Sequence, residues 1–189
     1  MKVDCVILAA GFSSRMGKNK MLLEIGRKTV IERCINAFDE SCSRIIVVTG
    51  KYHDDIKQCL SSYAKVKLVY NRDYRQGMFS SVKEGIRQIE SERFFVTPGD
   101  YSLLKADTIK QMLNTRGRFV VPVYQGKKGH PILLDKWFIP VILNSYSNLR
   151  ECLKEFESTK LNINDEGVVR DLDTNEAYHQ MRVAYPTIF

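Results

Sequence analysis

A loop of small, hydroxylated and basic residues follows the first apolar segment of the chain. Its sequence is Leu8-Ala9-Ala10-Gly11-Phe12-Ser13-Ser14-Arg15-Met16-Gly17-Lys18-Asn19-Lys20. Small residues let the backbone approach a ligand closely, and successive backbone N–H groups can cradle phosphate oxygens. Arg15 and Lys20 add two positive charges, which suit the several negative charges of a nucleoside triphosphate. The loop therefore predicts a triphosphate-binding site.

Two better-known phosphate loops do not fit this segment. The P-loop pattern G-x-x-x-x-G-K-[ST] fails because one residue too many separates Gly11 from Gly17, and because Asn19 follows Lys18. The dinucleotide-binding fingerprint G-x-G-x-x-G is absent as well. A merely flexible loop is the alternative, but it does not account for serines and basic residues gathered directly after one strand.

Carboxylates in two later segments could hold a metal ion. Asp100 stands at the end of an apolar run, and magnesium commonly takes one or two carboxylates together with phosphate oxygens. Asp171 and Asp173 alternate with an apolar residue, which puts both on the same side of an extended segment. We expect Asp100 and Asp173 to bind the metal, with Asp171 as a supporting group. The alternative is that the later pair are surface carboxylates that cap the last helix.

Short β-rich runs alternate with amphipathic helical patterns along the chain. The predicted strands are Val3–Ala9, Arg44–Thr49, Lys67–Tyr70, Arg93–Thr97, Phe119–Val123 and Pro131–Leu134. Between them apolar residues recur at helical spacing, for example after the capping box of Thr29 and Glu32. This alternation predicts a three-layer α/β/α sandwich with a mostly parallel sheet, which binds ligands beyond the carboxyl ends of its strands. We expect a single domain over residues 1–189.

Composition narrows the classes of function. The formal net charge is +7, but the basic residues are spread out, which favours small phosphorylated ligands over nucleic acid. The longest apolar runs are too short to span a bilayer, and the N-terminus lacks the pattern of a secretory signal. The five cysteines show no metal-ligand spacing, and we interpret them as buried thiols of a reducing cytosol. We therefore expect a cytoplasmic protein that binds neither nucleic acid nor membrane.

The segment Leu8–Lys20 resembles the motif L-A-A-G-x-S-x-R-M-G-x-x-K of the MobA-like nucleotidyltransferases. It is more closely similar to their molybdenum cofactor cytidylyltransferase branch, and Asn19 stands where related sugar-nucleotide pyrophosphorylases usually carry proline. The resemblance implies a Rossmann-like sheet of the nucleotide-diphospho-sugar transferase type. It also implies that Arg15, Lys20 and Asp100 are the catalytic residues.

Four later segments extend the resemblance over nearly the whole chain. Asn71–Gly85 is similar to the family's N-x-x-x-x-x-G-M-x-S-S-x-x-x-G, which lies against the nucleobase, although Phe79 replaces a small residue. Asp100 resembles the metal aspartate of the family's G-D-M-P, with a different dipeptide after it. Gly126–Pro131 resembles G-x-x-G-H-P near the acceptor site, and Asn164–Thr174 is similar to the start of D-D-x-G-x-x-x-D-I-D-T-P-E-D.

The resemblance thereby assigns residues to subsites. The implied nucleotide-binding residues are Leu8, Ala9, Ala10, Gly11, Ser13, Ser14, Arg15, Lys20, Asn71, Gly77, Ser80 and Ser81. The implied metal residues are Asp100 and Asp173. His130 could orient the acceptor phosphate, and Lys128 could contact it. A lone histidine is more often structural, and Lys128 could instead be a solvated turn charge, so both alternatives stay open.

The implied reaction is Mg²⁺-dependent transfer of a nucleotidyl group from a nucleoside triphosphate to a phosphorylated acceptor, with release of pyrophosphate. Within the resemblance the triphosphate is CTP, the acceptor is the molybdenum pterin cofactor, and a molybdoenzyme or its chaperone is a partner. Ala10 favours CTP, because the GTP-using branch tends to have glycine at that position. Two alternatives stay open: transfer to a sugar phosphate or similar metabolite, and a catalytically inactive nucleotide-binding regulator.

Overall fold

The computed structural model describes residues 3–13, 17–146 and 148–184. The strands in these ranges are β1 (Asp4–Ala9), β2 (Glu24–Ile25), β3 (Lys28–Thr29), β4 (Arg44–Thr49), β5 (Val66–Tyr70), β6 (Arg93–Pro98), β7 (Phe119–Tyr124), β8 (Lys127–Lys128), β9 (Ile132–Asp135) and β10 (Thr159–Asn162). The helices are α1 (Val30–Asp39), α2 (His53–Cys59), α3 (Met78–Ile86), α4 (Ala106–Asn114), α5 (Phe138–Asn144), α6 (Leu149–Lys154) and α7 (Asn175–Ala184). Short 3₁₀ helices lie at Lys20–Leu22, Tyr74–Gln76 and Glu166–Val169. Among the residues so described, no helix is long and apolar enough to cross a membrane.

One large sheet organises the described part of the chain. Its strand order is β10-β7-β9-β6-β1-β4-β5, with β8 paired to β7. The pairs β1–β4, β1–β6, β4–β5 and β7–β10 are parallel, whereas β9 runs antiparallel between β6 and β7. The predicted mostly parallel α/β fold is confirmed. The sequence indicated a strand at residues 131–134 but not its direction.

Helices cover both faces of this sheet. Alternate side chains of a central strand point to opposite sides, so an apolar strand needs a packing layer on each face. In β1, Cys5, Ile7 and Ala9 pack into a core that includes residues of α1 and α4. Val6 and Leu8 pack into a second core that includes residues of α3 and α5. All five side chains are buried, which explains why the strand is apolar from Cys5 to Ala9 instead of alternating with polar residues.

The predicted strands agree with the observed ones to within one residue at each end. The start of α1 also agrees with the prediction, because Thr29 and Glu32 form the capping box: the Thr29 Oγ1 accepts from the Glu32 backbone N–H, and the Glu32 carboxylate accepts from the Thr29 backbone N–H. The short β2–β3 hairpin, β8, β10 and α5 were not predicted from the sequence.

The strand order reverses at β1. This strand lies between β4, which is the next strand of the same sheet along the chain, and β6, which the chain reaches only after β5. In open α/β sheets such a reversal leaves a crevice at the carboxyl ends of the strands, where ligands bind. The residues that follow β1, β4, β5 and β6 therefore meet at one edge of the sheet.

Candidate active site

A pocket opens at the carboxyl ends of β1 and β6, where the strand order reverses. It is lined by Leu8, Ala10, Gly11, Phe12, Lys20, Met21, Tyr74, Gly77, Met78, Ser81, Pro98 and Asp100. The wall is mostly apolar, with a few polar side chains, which is typical of small-ligand sites. The predicted site residues among these are Leu8, Ala10, Gly11, Lys20, Gly77, Ser81 and Asp100. Ala9 lies on the opposite face of β1 and packs in the core.

The glycine-rich loop is closed at its base by a hydrogen bond. The backbone N–H of Lys20 donates to Ser13 Oγ at 3.2 Å, and Ser13 itself has a positive φ of 50°. Asn19 caps the 3₁₀ turn that begins at Lys20, through a side chain that accepts from the next backbone N–H. Both ends of the loop are thereby held beside the pocket. The predicted residues Ser14 and Arg15 lie outside the described residues.

Lys20 contacts both predicted metal residues. Its Nζ donates hydrogen bonds to Asp100 Oδ2 at 2.5 Å and to Asp173 Oδ1 at 2.7 Å. The Asp100 side chain is buried, the Lys20 side chain is mostly buried, and Asp173 is half-exposed. Burial alone would lower the pKa of Lys20, but the charges and hydrogen bonds of the two carboxylates outweigh it and raise that pKa. The two carboxylates therefore converge on one cation.

Negative charge is concentrated around this contact. Burial, followed by the charges of Asp100 and Asp173, raises the pKa of Asp171. Burial and the same three carboxylates also raise the pKa of Tyr101, the residue that follows Asp100. The other oxygen of Asp100, Oδ1, is buried and has no hydrogen-bond partner among the described residues. An acidic cluster with such an oxygen is suited to a cation.

Asn71 organises the start of α3 on another wall of the pocket. It is buried directly after β5, and its Nδ2 donates to Ser80 Oγ at 2.8 Å and to Ser81 Oγ at 2.9 Å. Gly77 precedes α3 with a φ of 99°, a conformation that favours glycine. Ser81 lines the pocket, whereas Asn71 and Ser80 are not among its lining residues. Asn71 instead positions both serines through its side-chain amide.

Aromatic residues that the sequence analysis did not select form part of the pocket. The rings of Phe12 and Tyr74 have centroids 5.4 Å apart, and the Tyr52 hydroxyl donates to the Phe12 carbonyl at 3.3 Å. An ideal Cβ at Gly50 would lie 2.7 Å from both the Ala10 carbonyl oxygen and the Tyr74 Cβ, so glycine lets Tyr74 pack against the loop. Tyr74 could have been selected from the sequence because it lies within Asn71–Gly85, the segment that the resemblance places against the nucleobase.

The two predicted acceptor residues differ in burial. The His130 ring packs edge-on against Tyr101, with centroids 5.0 Å apart. Burial lowers the pKa of His130 against the opposing charge of Asp100, and its Nδ1 is buried with no partner in the described ranges. Lys128 is exposed in β8, and its Nζ donates to Ser158 Oγ at 3.4 Å. The structure therefore places His130 beside the carboxylates and Lys128 on the surface.

Known proteins resemble the chain in sequence and in fold. It is 30% identical to the molybdenum cofactor cytidylyltransferase of Escherichia coli strain K12, over 98% of both chains. It is 26% identical to a probable molybdenum cofactor guanylyltransferase of Carboxydothermus hydrogenoformans, over 93% of this chain and 92% of the relative. A nucleotidyl transferase structure from Methanothermobacter has a TM-score of 0.84 at 19% identity, over 98% of both chains. Because residues 5–159 match the MobA-like NTP transferase domain, the chain belongs to this family of nucleotidyltransferases.

Proposed function

We propose that the chain transfers the cytidylyl group of CTP to the phosphate of the molybdenum pterin cofactor, with Mg²⁺ as the metal. The observation that carries the proposal is the convergence of Asp100 and Asp173 on one cation, beside the pocket that the glycine-rich loop borders. The likeness to the E. coli cytidylyltransferase over nearly both whole chains supports CTP and this acceptor. A molybdoenzyme or its chaperone, in the cytoplasm, is the proposed recipient of the product.

The carboxylates fit a hard divalent cation. Mg²⁺ takes oxygen ligands, commonly one or two carboxylates with phosphate oxygens completing the shell. Asp100 offers a buried Oδ1 that lacks a partner among the described residues, and Asp173 offers a second carboxylate. The Lys20 ammonium, which contacts both carboxylates, occupies the place between them that the metal would take. When bound by Asp100 and Asp173, Mg²⁺ would neutralise developing charge on the phosphate oxygens.

Basic residues of the loop would hold the triphosphate and the leaving group. In the proposed role, Arg15 and Lys20 bind the β- and γ-phosphates and stabilise the pyrophosphate that leaves. A phosphate oxygen of the acceptor attacks the α-phosphorus, and a new P–O bond forms as the bond to pyrophosphate breaks. The attacking phosphate is already anionic, so no strong general base is required. Catalysis then comes from positioning and from charge neutralisation.

The apolar pocket would take the nucleobase. Ala10 and Gly11 supply small walls, and the methyl group of Ala10 narrows the space, which favours a pyrimidine over a purine. Ser81 supplies a hydroxyl at the pocket wall that could contact a polar edge of the base. Phe12 and Tyr74 supply aromatic surface at the same pocket.

The acceptor would bind on the side of the carboxylates where His130 lies. A neutral histidine has one N–H donor and one unprotonated nitrogen that accepts a hydrogen bond. The ring makes a hydrogen bond to the Val96 backbone that raises its pKa, which requires a ring N–H there. Nδ1, which is buried without a partner in the described part of the chain, is then unprotonated in the neutral ring, and it would accept a hydrogen bond from a hydroxyl group of the acceptor. Lys128, exposed in β8, would attract the phosphorylated acceptor from solvent.

The test is pyrophosphate release, measured with CTP, GTP, UTP and ATP in turn against the molybdenum pterin and a panel of sugar phosphates. We expect release with CTP and the pterin. Asp100→Asn should abolish most turnover while the circular dichroism spectrum is retained. The matched control is Asp107→Asn, which alters an exposed carboxylate of α4. Near-full activity of Asp100→Asn in Mg²⁺ would contradict the metal assignment.

The same assay decides among the alternatives. Turnover with a sugar phosphate in place of the pterin would favour the metabolite-transfer alternative, and nucleotide binding without pyrophosphate release would favour an inactive regulator. A preference for GTP would refute the base assignment. Ala10→Gly should reduce the ratio of kcat/KM for CTP to that for GTP, because one methyl group in a pocket is worth about 1–3 kcal/mol. An unchanged ratio would show that the preference arises elsewhere.

A further inference from the structure

Lys20 occupies the position between Asp100 and Asp173 at which the proposed metal would bind. Its Nζ lies 2.5 Å from one carboxylate and 2.7 Å from the other, the short distances of charge-assisted hydrogen bonds. The Lys20 side chain is mostly buried and the Asp100 side chain is buried, so the ammonium and the carboxylates are in contact where water is partly excluded. Lys20 is therefore an effective counterion for the pair.

An ammonium and a divalent cation cannot both be held by these two oxygens, since like charges in contact repel strongly where water is partly excluded. A metal ion on the unpartnered Asp100 Oδ1 would still lie next to the ammonium. The ammonium can leave, because it ends a flexible four-carbon stem. The backbone of Lys20 need not follow, because Ser13 and the Asn19 cap hold it in place.

We infer that Lys20 is an internal competitor for the metal site, so that the metal and the triphosphate each raise the affinity of the site for the other. The phosphates draw the ammonium away from Asp100 and Asp173, and the metal takes over the neutralisation of these carboxylates. No buried charge is left without a counterion at any stage, which is the condition that a buried ionic site must satisfy. The inference rests on the proposed function, which assigns the carboxylates to the metal and Lys20 to the phosphates.

A reciprocal coupling follows from this competition. If the triphosphate raises the affinity for the metal by removing Lys20 from the carboxylates, the metal raises the affinity for the triphosphate by the same factor. Without nucleotide, the chain should therefore bind the free metal weakly. A variant without the Lys20 charge should bind the metal more tightly in the absence of nucleotide.

The experiment measures Mn²⁺ binding without turnover, through the electron paramagnetic resonance signal of the unbound ion. Mn²⁺ is the probe because it takes carboxylate and water ligands as Mg²⁺ does. The chains compared are the wild type, Lys20→Met, Lys20→Gln and Lys18→Met, the last being a matched loss of charge at an exposed position of the same loop. Each is titrated alone and with a non-hydrolysable analogue of CTP.

Without nucleotide, we expect both Lys20 variants to bind Mn²⁺ about tenfold more tightly than the wild type, within the usual range of coupling between two sites, and Lys18→Met to match the wild type. The analogue should tighten Mn²⁺ binding by the wild type and have a much smaller effect on the Lys20 variants. Mn²⁺ should also raise the melting temperature of the Lys20 variants more than that of the wild type, which shows in addition that they are folded. Equal affinities of the wild type and both Lys20 variants would overturn the inference.

A further variant separates this inference from the proposed metal site. Asp100→Asn combined with Lys20→Met should lose the tight Mn²⁺ binding of Lys20→Met alone. If the combined variant keeps it, the ion binds elsewhere, and both the metal assignment and the inference fail. If Asp100→Asn abolishes Mn²⁺ binding in the presence of the analogue but Lys20→Met gains none in its absence, the metal site stands and only the role of Lys20 is refuted.

Discussion

Asp165 connects the segment that leads to Asp171 and Asp173 with the start of α4 through hydrogen bonds. Its amide variant should show how much these hydrogen bonds contribute to stability. The side chain is 2% exposed. Its Oδ2 accepts from the Thr108 Oγ1 at 2.6 Å and from the Lys105 backbone N–H at 3.0 Å, both at the start of α4. Its Oδ1 accepts from the Gly167 backbone N–H at 3.0 Å. The chain beyond this point carries Asp171 and Asp173.

Asp165→Asn preserves the shape but turns one acceptor into a donor. If the amide NH₂ replaces Oδ1, it faces the Gly167 N–H and one hydrogen bond is lost. If it replaces Oδ2, the bonds from Lys105 and Thr108 are both affected. A hydrogen bond to a charged group contributes about 1.5–3 kcal/mol, so the better orientation should lower the free energy of unfolding by about 2–3 kcal/mol. This loss is large but below the usual stability of a domain.

Urea unfolding, followed by circular dichroism, measures the loss, with Asp107→Asn as the control. Asp107 makes one exposed hydrogen bond within α4, to Gln111, and its amide should change the free energy by less than about 1 kcal/mol. The activity of folded Asp165→Asn should also fall, because the segment that carries Asp173 is released. A change in stability no larger than that of the control would refute the reasoning, since the hydrogen bond lost in the better orientation would then contribute nothing net.

Three further variants test other parts of the chain. Asp4→Asn should destabilise the protein at neutral pH. Burial raises the pKa of Asp4, but Arg44 and two backbone N–H groups outweigh it and lower that pKa below the unfolded value of 3.8. The stabilisation by the Asp4 carboxylate is therefore fully present above pH 3.8 and is lost as the pH falls through the folded pKa, which urea unfolding of the wild type and the variant across a pH series would show. Gly50→Ala should lower stability by about 1–3 kcal/mol in thermal unfolding, because its methyl would meet the Ala10 carbonyl. Arg15→Ala should weaken triphosphate binding by about 1.5–3 kcal/mol and spare the acceptor in parallel titrations, and equal losses would indicate a damaged fold.

The central strands could be predicted from the sequence because burial on both faces makes each one a continuous apolar run. β4 was predicted with its observed bounds, and its residues from Ile45 to Thr49 are all buried. The start of α1 could be predicted for a different reason. Its capping box is a local hydrogen-bond pattern that depends only on residues three apart, Thr29 and Glu32.

The missed elements depend on contacts between distant parts of the chain or contradict a local rule. β10 is short, largely exposed and polar, and it exists as a strand through its pairing with β7. The two-residue strands β2, β3 and β8 are too short to show any periodicity. α5 contains Pro140, which reads locally as a helix breaker, but it falls in the first turn, where the missing N–H has no partner to lose.

In the site, too, the residue types could be recognised in the sequence, whereas the contacts between them join distant parts of the chain. Lys20, Asp100 and Asp173 each stood out in the sequence from their type and setting, but Lys20 lies 80 residues from one carboxylate and 153 from the other. A lysine in a glycine-rich loop indicates that an anion will be bound there, and it does not indicate which anion. In the proposed mechanism, phosphates and carboxylates would compete for the same ammonium, and the outcome would depend on whether another cation can replace it at the carboxylates. Local sequence therefore identifies the charges of this site, whereas their pairing is a property of the fold and of what is bound.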